Sequence, residues 1–156
     1  MDSIYHVEVG YFDSRDDVDG TNPLVANSEF RTLLGARREL SGQRAIGVQY
    51  YVESMLDHDE YVRSLPPGTL REDEHRHVTM LRLSQDAFQQ DVTATLVAFY
   101  SPSDRDVYVR PSVDVRVTDH WRVTAGANLF AGSDAATDFA QFEDSSNVFV
   151  GTRIDF

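Results

Sequence analysis

Apolar and polar residues alternate with period two through most of the chain, a pattern that predicts strands. From Val107 to Thr118, one face reads Val107, Val109, Pro111, Val113, Val115 and Val117. The other reads Tyr108, Arg110, Ser112, Asp114, Arg116 and Thr118. A helix with this order would carry apolar groups all round its axis. Pro111 lacks a ladder donor, so a bulge or weak pairing is expected there. Trp121, Val123, Ala125, Ala127 and Leu129 repeat the arrangement against Arg122, Thr124, Gly126, Asn128 and Phe130. Val148, Val150, Thr152, Ile154 and Phe156 stand against Asn147, Phe149, Gly151, Arg153 and Asp155. Near the start, Tyr5, Val7, Val9 and Tyr11 oppose His6, Glu8, Gly10 and Phe12. Phe30, Thr32, Leu34 and Ala36 oppose Arg31, Leu33, Gly35 and Arg37. Ile46, Val48, Tyr50 and Val52 oppose Gly47, Gln49, Tyr51 and Glu53. Two strands alternate less cleanly. Arg76 to Phe88 places Thr79, Leu81 and Leu83 opposite Arg82 and Ser84. Val92 to Ser101 sets Ala94, Leu96, Ala98 and Tyr100 against Thr93, Thr95, Val97 and Phe99.

The connections alternate in length. Tight turns are expected at Ser41-Gly42-Gln43, Gln89-Gln90-Asp91 and Thr118-Asp119-His120. Ser14 to Asn27, Asp57 to His75 and Ser133 to Ser146 are long and polar, and Ser101 to Asp106 is a shorter loop on the same side. Long loops on one rim and tight turns on the other is the asymmetry of outer-membrane barrels, and an even strand count fits it. The expectation is an all-β fold: an up-and-down antiparallel transmembrane β-barrel of about eight strands, formed by residues 1–156 as one domain.

Alternation alone does not say which face points in. A soluble lipocalin-like barrel would turn its apolar face inward around a small ligand, and a membrane barrel would turn it outward to lipid. The polar face mixes arginines with Gly10, Gly35, Gly47, Gly126 and Gly151, as a narrow interior needs small residues beside large ones. Charges on that face nearly balance: Arg31, Arg37, Arg82, Arg110, Arg116, Arg122 and Arg153 against Glu8, Glu29, Glu39, Glu53, Asp114 and Asp155. An enclosed lumen needs paired charges. Tyr5, Tyr11, Tyr50, Tyr100 and Trp121 fall near strand ends, where interfacial girdles lie. The apolar face is therefore expected outward. Arg38 breaks it beside a turn, where a long side chain snorkels to the interface.

The formal charge of −12 argues against a nucleic-acid partner. All 14 basic residues are arginine, whose planar fork suits ion pairs with carboxylates. With no cysteine, disulfides and thiolate-ligated metals are excluded. No apolar run approaches the length of a transmembrane helix. No charged n-region and apolar h-region follow Met1, so an outer-membrane destination requires a targeting segment removed or upstream.

The segment Asn147-Val148-Phe149-Val150-Gly151-Thr152-Arg153-Ile154-Asp155-Phe156 resembles the terminal strand by which the bacterial outer-membrane assembly machinery recognises barrels. Phe156, Ile154 and Val150 would carry that signal, with Thr152 a mild departure. From about Phe30 onward the chain also resembles the carboxy-terminal part of an uncharacterised family of larger Gram-negative outer-membrane proteins. The resemblance lies in Gln49-Tyr50-Tyr51, Asp57-His58-Asp59, Leu65-Pro66-Pro67-Gly68, Tyr100-Ser101-Pro102-Ser103-Asp104 and Gln141-Phe142-Glu143-Asp144. It implies that these strands form part of a wider barrel, and it brings no catalytic residues.

His75 and His77 share a strand face and, with His58, Asp57 and Asp59, are candidate metal ligands. Solvated loop polars are the plainer reading. Asp16-Asp17-Val18-Asp19-Gly20 misses the EF-hand pattern, because Arg15 stands at its first ligand position. Acidic loops beside lipopolysaccharide would share divalent cations. No nucleophile elbow, P-loop or HExxH motif occurs, and no cofactor is expected. The expectation is a non-enzymatic outer-membrane barrel with a structural or surface-interaction role. Glu8, Arg31, Glu53, Arg82, Arg110, Asp114, Arg116, Arg122 and Arg153 would line its lumen. Its partners would be outer-membrane lipid, lipopolysaccharide and the assembly machinery. The alternatives are a section of a larger porin-like channel for small polar or anionic solutes, and a soluble ligand binder.

Overall fold

A computed structural model describes residues 3–69 and 71–155. Eight strands form one sheet: β1 (Ser3–Phe12), β2 (Glu29–Leu40), β3 (Arg44–Met55), β4 (His75–Ala87), β5 (Val92–Ser101), β6 (Asp106–Thr118), β7 (Trp121–Gly132) and β8 (Asn147–Ile154). Each pairs antiparallel with its neighbour in sequence, in the order β1 to β8. β1 and β8 form the two edges, and the sheet is open. No helix is long and apolar enough to cross a membrane, among the described residues.

The continuous register keeps each alternating set on one face. Leu34 stands opposite Val7 and Tyr50, Leu83 opposite Ile46 and Leu96, and Ala125 opposite Val113 and Val150. β5 has the orientation expected: Ala98 lies between Leu81 and Val109, and Val97 between Arg82 and Arg110. Pro111 faces Leu96 on β5. On the β7 side the ladder runs to Val109↔Leu129 and resumes at Ser112↔Gly126, as the missing donor requires. The register shift itself lies further on, between Arg116 and Thr118. Gly126 is held to its size. A Cβ there would come within 2.7 Å of the Pro111 carbonyl and 2.6 Å of the Phe149 ring.

The long connection after β3 contains a short helix, α1 (His58–Ser64), that period-two reading treats as irregular loop. Asp59 and Glu60 occupy its first turn, Arg63 pairs with Glu60 at 2.8 Å, and Pro66-Pro67 follow. Acids at the start and prolines beyond the end suit a helix so placed. The helix seats Tyr61, buried, whose hydroxyl accepts from the Glu72 N–H.

The apolar face is exposed: Val7 is 67% exposed, Val113 40% and Val150 78%. Among the described residues the buried apolar side chains are Tyr61, Val78 and Ala140. The accessible surface is 10721 Å², against about 7,900 Å² for a soluble monomer of this mass. Apolar area of this kind ordinarily marks a surface that meets lipid or another chain.

Candidate functional site

The polar face is covered at its loop rim by the connection from β7 to β8. The backbone N–H of Phe139 donates to Asp106 Oδ2 at 2.7 Å, and Asp106 is 1% exposed. Asp138 reaches β4, where its Oδ2 lies 2.7 Å from Arg76 Nη2. The Phe139 ring meets Phe99 at 6.0 Å and Tyr108 at 6.1 Å. Gly132 permits this close approach, since a Cβ there would stand 2.5 Å from Ala140 Cβ. Beneath Phe139 lies a cavity of about 260 Å³, bounded by Leu33, Tyr51, Val78, Met80 and Phe99.

Cross-strand pairing arranges the covered face in bands. At the loop rim Arg31, Glu53 and Arg76 stand in one row. Arg31 pairs with Glu29 and, at 3.6 Å, with Glu53, and its guanidinium lies over the Phe12 ring. Tyr51 donates its hydroxyl to Glu53 at 2.8 Å. Arg76 Nε donates to Asp104 at 2.6 Å. Beyond the row of Leu33, Tyr51 and Val78 comes a row of Gln49, Met80, Phe99, Tyr108 and Phe130, in which Tyr108 stacks on both Phe99 and Phe130. The row after it holds Arg37, Gly47, Arg82, Val97 and Arg110. Below that, Ser84, Thr95 and Ser112 are paired directly. At the turn rim Arg116, Arg122 and Arg153 stand side by side.

Glu8, Arg31, Glu53, Arg82, Arg110, Asp114, Arg116, Arg122 and Arg153 share one face of the sheet. Arg116 meets Asp91 at 3.9 Å. Asp114 accepts from the Thr124 hydroxyl. Arg153 pairs with Asp155 at 2.8 Å. Arg82, Arg110 and Arg122 form no ion pair among the described residues, and Arg110 lies over the Phe149 ring at 5.4 Å. Charge pairing is therefore concentrated at the rims. Arg76 is legible on this face by its even spacing from Arg82. Asp104, Asp106, Asp138 and Phe139 lie in loops or at a strand end, without periodicity to reveal them. Ile154 and Val150 are exposed on the apolar face of β8, while Phe156 lies outside the described residues.

The histidines are not gathered. His58 Nε2 is 3.0 Å from the Glu72 carbonyl, and His75 Nδ1 is 3.1 Å from Ser54 Oγ. His77 stacks on Tyr50 and lies 2.8 Å from its hydroxyl. In the first acidic loop, Asp17 accepts the backbone N–H groups of Thr21 and Asn22, which closes a turn. Among the described residues no group of three or more His, Asp or Glu is arranged to hold a cation.

Comparison with family models, with curated proteins and with solved structures returns no match.

Proposed function

We propose that the chain is a section of the wall of a bacterial outer-membrane β-barrel wider than eight strands. Its role is non-enzymatic. Its exposed face meets lipid and, at the loop rim, lipopolysaccharide, and its covered polar face lines a water-filled lumen for small polar or anionic solutes. The observation that carries this reading is the open sheet, with β1 and β8 each paired on one side only. Such edges are a liability unless another strand covers them. Closing these eight strands on themselves would leave an interior only wide enough for side chains. That interior would have to hold Arg31, Arg76, Arg82 and Arg110 together with the inserted Phe139. The terminal strand, with Val150 and Ile154 outward, is the element the assembly machinery would recognise.

Two measurements test the reading. In lipid, a V9C/V150C double variant is expected to form no intramolecular disulfide under mild oxidant, because other strands separate β1 from β8. A fast-migrating cross-linked monomer would mean that the eight strands close on themselves. The lipid assignment is tested by depth. Leu81 lies midway along β4, whereas Val115 stands opposite Val92, the first residue of β5, and so lies near the turn rim rather than at mid-depth. Leu81→Arg is expected to cost about 2–4 kcal/mol in urea titrations from vesicles, and Val115→Arg about 0–1 kcal/mol. Negligible effects at both positions would sink the outward facing.

A further inference from the structure

On the reading of the covered face as water-lined, we infer that Arg82 and Arg110 form a binding site for a phosphate-type oxyanion. The chain holds 26 carboxylates against 14 arginines, yet among the described residues these two guanidiniums, in the middle of the face, pair with none; Arg122, at the turn rim, is the other arginine of this face without one. Arg37, on the same row, lies 3.8 Å from Glu39. Arg31 and Arg76 are neutralised at the loop rim, and Arg116 and Arg153 at the turn rim.

The register places the pair closely. Arg82 and Arg110 are both directly opposite Val97, one from each side, so their Cα atoms stand two strand spacings, roughly 9–10 Å, apart. The Arg110 guanidinium leans over the Phe149 ring, 5.4 Å from its centroid and on the side away from Arg82; swung off that ring, it would close with Arg82 on one tetrahedral anion above the valine. One step along the strands, roughly 7 Å away, Ser84, Thr95 and Ser112 form an unbroken row of hydroxyls. Among the described residues none of these hydroxyls makes a side-chain hydrogen bond. Two guanidiniums and three hydroxyl donors thus lie on adjoining rows of one face, with no acceptor among the described side chains to satisfy them. Forked guanidinium donors match the geometry of phosphate oxygens. On the opposite side the stacked Phe99 and Tyr108 rings offer a flat surface to any planar or apolar part of the solute. The ligand class is therefore a free oxyanion or an organic solute carrying a phosphate group.

Isothermal titration of the refolded chain in detergent with inorganic phosphate tests the site directly. Saturable binding is expected. Arg82→Gln and Arg110→Gln should each weaken it about tenfold or more, as befits a lost charge-assisted bidentate contact. Arg122→Gln should leave it unchanged, and Arg82→Lys, which keeps the charge, should restore part of the affinity. Circular dichroism of each variant checks folding, and the lysine variant keeps the test valid should a glutamine variant misfold. Absence of phosphate binding, or equal loss in Arg122→Gln, overturns the proposal. Planar-bilayer conductance separates this from the wall reading. Anion-selective openings without phosphate binding would sink the site and leave the lumen. Phosphate binding lost in both glutamine variants, with a cross-linked monomeric barrel, would sink the wider lumen and leave the site.

Discussion

Diluted from urea into buffer without detergent, the chain is expected to give no soluble monomer with strand-rich circular dichroism. Diluted into detergent micelles, it is expected to give one. The cause is the exposed apolar face. Val7, Leu34, Val48, Leu83, Leu129 and Ile154 are all exposed, and among the described residues no second layer of structure packs against this face. A two-layer soluble domain buries such a face against another element. Here only a micelle, a bilayer or another chain can cover it, and the two open edges add unpaired backbone groups to the hazard. A stable monomer in plain buffer, shown by sedimentation, would overturn the membrane assignment.

The second large effect is expected at Arg76. Its side chain is 22% exposed and holds Asp104 at 2.6 Å and Asp138 at 2.7 Å. Asp104 is equally buried, and Ser101, fully buried, packs its hydroxyl 2.8 Å from the same carboxylate. Arg76→Ala leaves that carboxylate underpaired and frees the loop that carries Phe139. Removing one partner of a fully buried pair costs roughly 3–5 kcal/mol, and this pair retains some contact with water, so a loss of about 2–3 kcal/mol is expected in urea unfolding. Limited chymotrypsin digestion gives a second readout. Phe139 and Phe142 should be cut faster in the variant, because the tether to β4 is gone. Unchanged stability together with an unchanged digestion rate would show that the loop is held by Asp106 and the rings alone.

The strands were legible because a two-residue period needs few residues to declare itself. The alternating run Val107–Thr118 becomes Asp106–Thr118, and Arg76–Phe88 becomes His75–Ala87. Facing followed from the same period, so Val97 and Phe99 fall with Arg82 rather than with Leu83. Partnership across strands was less accessible, because register depends on the turns. Arg116 meets Asp91 from the turn after β4, a residue with no periodic relation to it. The helix α1 has seven residues, fewer than two full turns, too few for a 3.6-residue pattern to emerge. The inward path of the last loop rests on Asp106, 33 residues before Phe139 in sequence, and on Arg76, further away still. Contacts of that separation leave no local trace in composition. The bands of the polar face were written in the sequence all along, but only the register aligned Arg82 with Arg110.

Every strand pairs only with the strands next to it in sequence, and four of the links are turns of a few residues. This topology bears on how the sheet comes to exist. Hairpins joined by short turns form on the microsecond scale, and a meander of such hairpins keeps the mean sequence separation of contacts low, which favours fast formation. No segment has to thread past another, so the sheet can lengthen one hairpin at a time. The outer strands then remain open to receive a further strand from either side without undoing any pair already made.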